Sequence, residues 1–62
     1  MDDKQIIRFL LMKELEISQK IHNTIEEVMR LGLNSERGKE EIPEMINSIE
    51  SSLEDIKRII NN

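Results

Sequence analysis

Ile42-Pro43-Glu44-Met45-Ile46-Asn47-Ser48-Ile49-Glu50-Ser51-Ser52-Leu53-Glu54-Asp55-Ile56-Lys57-Arg58-Ile59-Ile60 is the stretch whose reading decides the fold. Ile42, Ile46, Ile49, Leu53, Ile56 and Ile60 recur at alternating steps of four and three residues. Only an α-helix brings side chains at that spacing onto one face, and an unbroken stripe of this kind is the seam of a coiled coil or helical bundle. Pro43 suits a first helical position, where its missing N–H costs nothing, and Glu40, Glu41 and Glu44 place negative charge at the positive end of the helix dipole. Lys57 and Arg58 complement the other end. The spacing therefore predicts a helix over about 42–60.

Upstream, the same periodicity extends from Ile6. With Ile7 at heptad position a, the a positions are Ile7, Glu14, Ile21 and Val28, and the d positions are Leu10, Ile17, Thr24 and Leu31. Asp2 or Asp3 is a natural N-cap, and Gln5 stands three residues after Asp2, in the arrangement of a capping box. Gly32 follows Leu31 where a helix commonly stops in a left-handed residue, with Leu33 placed for the apolar contact of a Schellman turn. A first helix over about 3–31 is expected. Residues 32–41 carry two glycines and no periodicity, so they read as the loop. Two helices with a short connector fold back antiparallel. The expected fold class is all-α: a single-domain hairpin spanning 1–62, assembling as a homodimeric four-helix bundle.

The second copy is inferred from what one hairpin leaves uncovered. A chain of 62 residues buries only about 60% of its unfolded surface and needs a staple or a partner. With no cysteine and one histidine, neither a disulfide nor a thiolate metal site is available. Isoleucine at both a and d of the second helix favours three or four strands over two. A first helix of about 29 residues spans roughly 43 Å and a second of about 19 roughly 28 Å. Ile6, Ile7, Phe9, Leu10, Leu11 and Met12 should then overhang, and with Leu15 they form the expected partner or dimer interface. The expected hairpin core is Ile17, Ile21, Val28, Ile42, Ile46, Ile49, Leu53, Ile56 and Ile60. Glu14 lies amid this apolar arc. Either it is buried, paired and fixes register, or the helix turns so that Leu11 and Leu15 take the core.

The net charge of -4 argues against binding phosphate-rich partners, and Lys4, Arg8, Lys13, Lys20 and Arg30 do not form one track along the first helix. No apolar run approaches the roughly 20 residues of a membrane span. Met1-Asp2-Asp3 lacks the positive charge of a secretory leader, so a cytoplasmic chain is expected. Ser18, His22 and Glu26 line up on one helical face, but a line on one helix makes neither a cleft nor an oxyanion hole. The carboxylates Glu40, Glu41 and Glu44, and Glu50, Glu54 and Asp55, lack the spacing of a calcium loop or a di-metal bundle site. No catalytic, cofactor-binding or metal residue is assigned, and no small-molecule substrate is expected.

Two kinds of small helical hairpin are similar in outline. The dimeric RNA-binding repressors of plasmid copy number share length and acidity without a shared motif. The hairpin phosphatases of sporulation regulators carry Ser-Gln-Glu-Leu-Asp where this chain has Ser51-Ser52-Leu53-Glu54-Asp55, so their activity is not carried over. The expected function is that of a small non-catalytic protein-binding regulator, an inhibitor or adaptor, acting through the apolar face of the first helix or by self-association. An RNA- or DNA-binding dimer is the alternative, and a structural assembly subunit the third.

Overall fold

The computed structural model describes residues 2–61. It contains two α-helices, α1 (Asp3–Leu31) and α2 (Glu36–Asn61), packed against each other as a hairpin 46 Å long and only 8 Å in its thinnest extent. No strand occurs among the described residues. α1 begins as its first residues dictate. The Asp2 carboxylate accepts from the Gln5 backbone N–H at 2.9 Å, and the Gln5 side-chain amide oxygen Oε1 accepts from the Asp2 N–H at 3.3 Å, a closed capping box. Its last turn holds the Gly32 N–H on the Val28 carbonyl at 2.9 Å. Gly32 has the positive φ expected of it, 78°, but ψ is 155°. The chain thus leaves in an extended direction open chiefly to glycine. Leu33 stays exposed and does not make the apolar contact anticipated for a Schellman turn.

The connector is residues 32–35, far shorter than the expected loop over 32–41, and α2 starts at Glu36 instead of 42. Two local features extend the helix. Ser35 is the N-cap: its Oγ accepts from the Gly38 N–H at 2.9 Å and donates to the Gly32 carbonyl at 3.3 Å. Gly38 is buried against that same carbonyl, where an added Cβ would sit 2.0 Å from the Gly32 oxygen. The residue read as a loop glycine is what lets α2 begin directly beside the end of α1. Pro43 then falls inside the helix, not at its start. It denies the Lys39 carbonyl its bond, at a typical cost of about 3 kcal/mol, but both residues are exposed, so water can satisfy that carbonyl.

The longer α2 removes the overhang. With 29 and 26 residues the helices nearly match, and Ile6, Phe9 and Leu10 become half-buried, Phe9 beside Ile59 and Asp55.

The seam is also turned from the expected one. On α2 the inward residues are Ile42, Met45, Ile49, Ser52, Ile56 and Ile59. Ile42, at 5% exposure, is the best-buried apolar side chain. Ile46, Leu53 and Ile60, expected in the core, lie outside it. On α1 the d residues Leu10, Ile17, Thr24 and Leu31 do face α2, but Ile6, Lys13, Lys20 and Glu27 accompany them where a residues were expected. Val28 is half-buried, whereas Ile7 and Ile21 are exposed.

Candidate interaction surface

Polar bonds across the helices accompany this register. Along one edge of the seam, cations on α1 reach across to acceptors on α2. The Lys13 ammonium binds the Asp55 carboxylate at 2.9 Å and the Glu16 carboxylate at 3.1 Å, and stands 5.6 Å over the Phe9 ring. The Ser52 hydroxyl, 2% exposed, donates to Glu16 at 2.6 Å and accepts from the Lys20 ammonium at 2.7 Å. Lys20 also reaches the Ser48 carbonyl at 3.2 Å. Long lysine stems cover apolar surface while their ends stay polar, so a lysine can hold a seam position that apolarity alone would assign elsewhere. The hydroxyl of Ser52 holds the carboxyl of Glu16 below its ordinary range, with Lys13 adding to the effect. Asp55 is lowered chiefly by Lys13, and Lys13 is raised chiefly by Asp55 and then by Glu16. Arg30 forks onto Glu27 at 2.8 and 2.9 Å and lowers it likewise. Shallow grooves on this edge are lined by Lys20, Asn23, Thr24, Met45 and Ser48, and by Glu27, Glu41 and Glu44 with the same Met45 and Ser48.

The opposite side carries most of the exposed apolar side chains, with Glu14, Ser18, Glu50 and Lys57 among them. Each residue turns the helix by about 100°. Ile7, Leu11, Ile21 and Ile25 therefore lie roughly a quarter-turn from the α1 seam, and Ile46, Leu53 and Ile60 roughly a quarter-turn from the α2 seam in the same rotational sense. Because the helices are antiparallel, the same sense on both brings the two stripes to one side of the hairpin. All seven side chains are exposed, Leu53 at 51% and Leu11 at 60%. The hairpin has 5080 Å² of accessible surface, against about 4,200 Å² for a folded monomer of its mass. The excess of roughly 900 Å² is about one partner's share of a standard protein interface.

Of the expected interface residues, Ile7 and Leu11 lie on this face, whereas Ile6, Phe9 and Leu10 are partly used by α2. Met12 and Leu15 are strongly exposed, but Leu15 points away from α2 and Met12 to the polar side. Glu14 is exposed within the α1 stripe. It is neither buried in the hairpin nor displaced to a rim by Leu11 and Leu15, because the helix turns the other way and brings in Lys13. What the sequence reading missed is that Ile46, Leu53 and Ile60 belong to the outer face. Their signal was present: Ile42, Met45, Ile46 and Ile49 make an apolar arc wider than one neighbouring helix can cover.

His22 Nε2 lies 2.7 Å from the Glu26 carboxylate, both well exposed, and this is an ordinary surface pair. Among the described residues, no set of His, Cys, Asp and Glu converges on a metal position, and no helix is long and apolar enough to cross a membrane. Comparison with protein-family models, curated proteins and solved structures finds no match.

Proposed function

We propose that this chain is a non-catalytic protein-interaction module that self-associates through the apolar side of the hairpin into a homodimeric four-helix bundle. In that role it acts as a small regulator, an inhibitor or adaptor, of another protein. The observation that carries the reading is the stripe of Ile7, Leu11, Ile21, Ile25, Ile46, Leu53 and Ile60 exposed on one side of a molecule whose other side is bonded across. A side this rich in exposed apolar side chains marks an interface. Burying such a face against a second copy supplies the core that two helices lack, and leaves the groove of Lys20, Asn23, Glu27, Glu44 and Ser48 on the outside of each hairpin.

Two features favour a protein over a nucleic acid as the regulated partner. Lys13, Lys20 and Arg30 already hold acceptors of this chain, and the net charge is -4. Phosphate binding would need those cations free and on one track. Light scattering across a concentration series at moderate salt tests self-association: a mass twice that of the chain is expected. A helical monomer at every concentration would refute the dimer and leave the apolar side as the surface for a different protein.

A further inference from the structure

The apolar side is self-complementary, and its symmetry has a centre. On α1 the outward stripe is Ile7, Leu11, Glu14, Ser18, Ile21 and Ile25, with steps of four, three, four, three and four, which read the same from either end. Its midpoint falls at position 16. On α2 the apolar members of the stripe are Ile46, Leu53 and Ile60, symmetric about Leu53, with the exposed Glu50 and Lys57 interleaved between them. These midpoints stand at one level of the hairpin, because the Ser52 hydroxyl donates to the Glu16 carboxylate at 2.6 Å. The Lys13–Asp55 bond at 2.9 Å and the contact of the Lys20 ammonium with the Ser48 carbonyl at 3.2 Å bracket that level from either side. A two-fold axis through this level would map both stripes onto themselves together.

Resting on the self-association proposed above, we propose that the second copy is related by a two-fold axis that crosses both helices at the level of Glu16 and Ser52. This lays α1 antiparallel on α1 and α2 antiparallel on α2. Ile7 then meets Ile25 of the second copy, Leu11 meets Ile21, Ile46 meets Ile60, and Leu53 meets Leu53. Glu14 meets the Ser18 hydroxyl of the second copy, twice across the axis, and the exposed Glu50 and Lys57, which flank Leu53 on the same side of α2, come within a turn of each other between the two copies.

Polar satisfaction selects this arrangement over its competitors. Each two-fold arrangement that instead lays α1 on the second copy's α2 sets Leu53 against Glu14 and Ser18. The same arrangements set Lys57 against Leu11, so apolar side chains cover charged and polar ones through the centre of the face, which is costly. In the like-on-like arrangement the Glu14 carboxylate has a hydroxyl donor. Glu14 with Ser18, and Glu50 with Lys57, thereby specify the register and the way round of the dimer, as polar residues in an apolar seam do in coiled coils.

The chain has no cysteine, so single cysteines report the geometry directly, a disulfide requiring Cα atoms within about 7 Å. Leu53→Cys should oxidise to a covalent dimer. An equimolar mixture of Ile7→Cys and Ile25→Cys chains should give the mixed dimer, while Ile7→Cys alone should not cross-link, its two copies lying roughly 27 Å apart along the bundle. If light scattering shows a dimer, but Leu53→Cys stays uncrosslinked while Ser18→Cys joins Leu53→Cys, the like-on-like arrangement is overturned and self-association stands. If the unmodified chain is monomeric throughout, self-association itself is overturned. The Ile7 and Ile25 pair decides the geometry even where Leu53→Cys perturbs folding.

Discussion

Leu53 and Ile49 are close neighbours on α2, both apolar, and the structure assigns them opposite roles. Ile49 faces α1 within the seam, whereas Leu53 keeps 51% of its surface exposed on the apolar side. Fully burying a leucine is worth about 1.5–3 kcal/mol, so the half that the hairpin covers contributes on the order of 1 kcal/mol to one chain. The remaining half would be buried only in the proposed dimer. Leu53→Asp should therefore cost a single hairpin about 1 kcal/mol. The dimer should lose about 1 kcal/mol of burial from each copy, and two carboxylates facing across the axis add roughly 1 kcal/mol even when fully hydrated. Partial desolvation of each carboxylate raises the total to about 4 kcal/mol, which is roughly a thousandfold in the dimer Kd. Ile49→Asp differs in kind: it places an unpaired charge between the helices and should abolish the hairpin. Sedimentation equilibrium and far-ultraviolet circular dichroism on the two variants separate these outcomes. Leu53→Asp should be helical at high concentration with its monomer–dimer midpoint shifted about a thousandfold, and Ile49→Asp should lose helicity. A Leu53→Asp chain that dimerises as tightly as the parent would refute the assignment of this face.

Gly38→Ala should destabilise the hairpin by about 1–3 kcal/mol despite alanine's higher helix propensity. The new methyl would stand 2.0 Å from the Gly32 carbonyl oxygen, a backbone atom that moves only if the turn opens; a thermal melt unchanged from the parent would contradict the turn geometry. Stability should also depend on pH in a defined way. Glu16, Asp55 and Glu27 are lowered in the folded state, so their contribution is complete above the ordinary carboxylate values of 4.5 and 3.8 and is lost as pH falls through the depressed values. Lys13 is raised, so its contribution is complete below 10.5 and is lost as pH rises through the raised value. Urea midpoints at fixed pH should form a plateau from about pH 5 to 10 with a fall on each side. In Asp55→Asn the alkaline fall should shrink, because Lys13 loses its principal acceptor.

Much of the secondary structure was legible from residue order. Asp2 with Gln5, the break at Gly32 and the three-four recurrence of isoleucine and leucine each act within a turn or two of their own helix. Local steric and hydrogen-bonding rules therefore suffice to read them. The start of α2 was not legible in the same way. Gly38 and Pro43 are helix breakers by local rules, and only the proximity of Gly38 to the Gly32 carbonyl, with Ser35 capping between them, shows that the helix runs through both. The removal of the N-terminal overhang follows from that start.

Periodicity alone established two helices, each apolar over an arc too wide for a single neighbour, and their return on each other through a short connector. Which edge of each arc faces inward was decided only in the folded hairpin. Ile42, Ile49 and Ile56 belong equally to a seam completed by Ile46, Leu53 and Ile60 and to one completed by Met45, Ser52 and Ile59; hydrophobicity prefers the first. The fold adopts the second, in which Lys13 and Lys20 reach Asp55, Ser52 and the Ser48 carbonyl across the other helix. Such bonds join residues far apart in the chain and leave no mark on the spacing of either helix, so the apolar side turned outward in this register is a property of the tertiary structure.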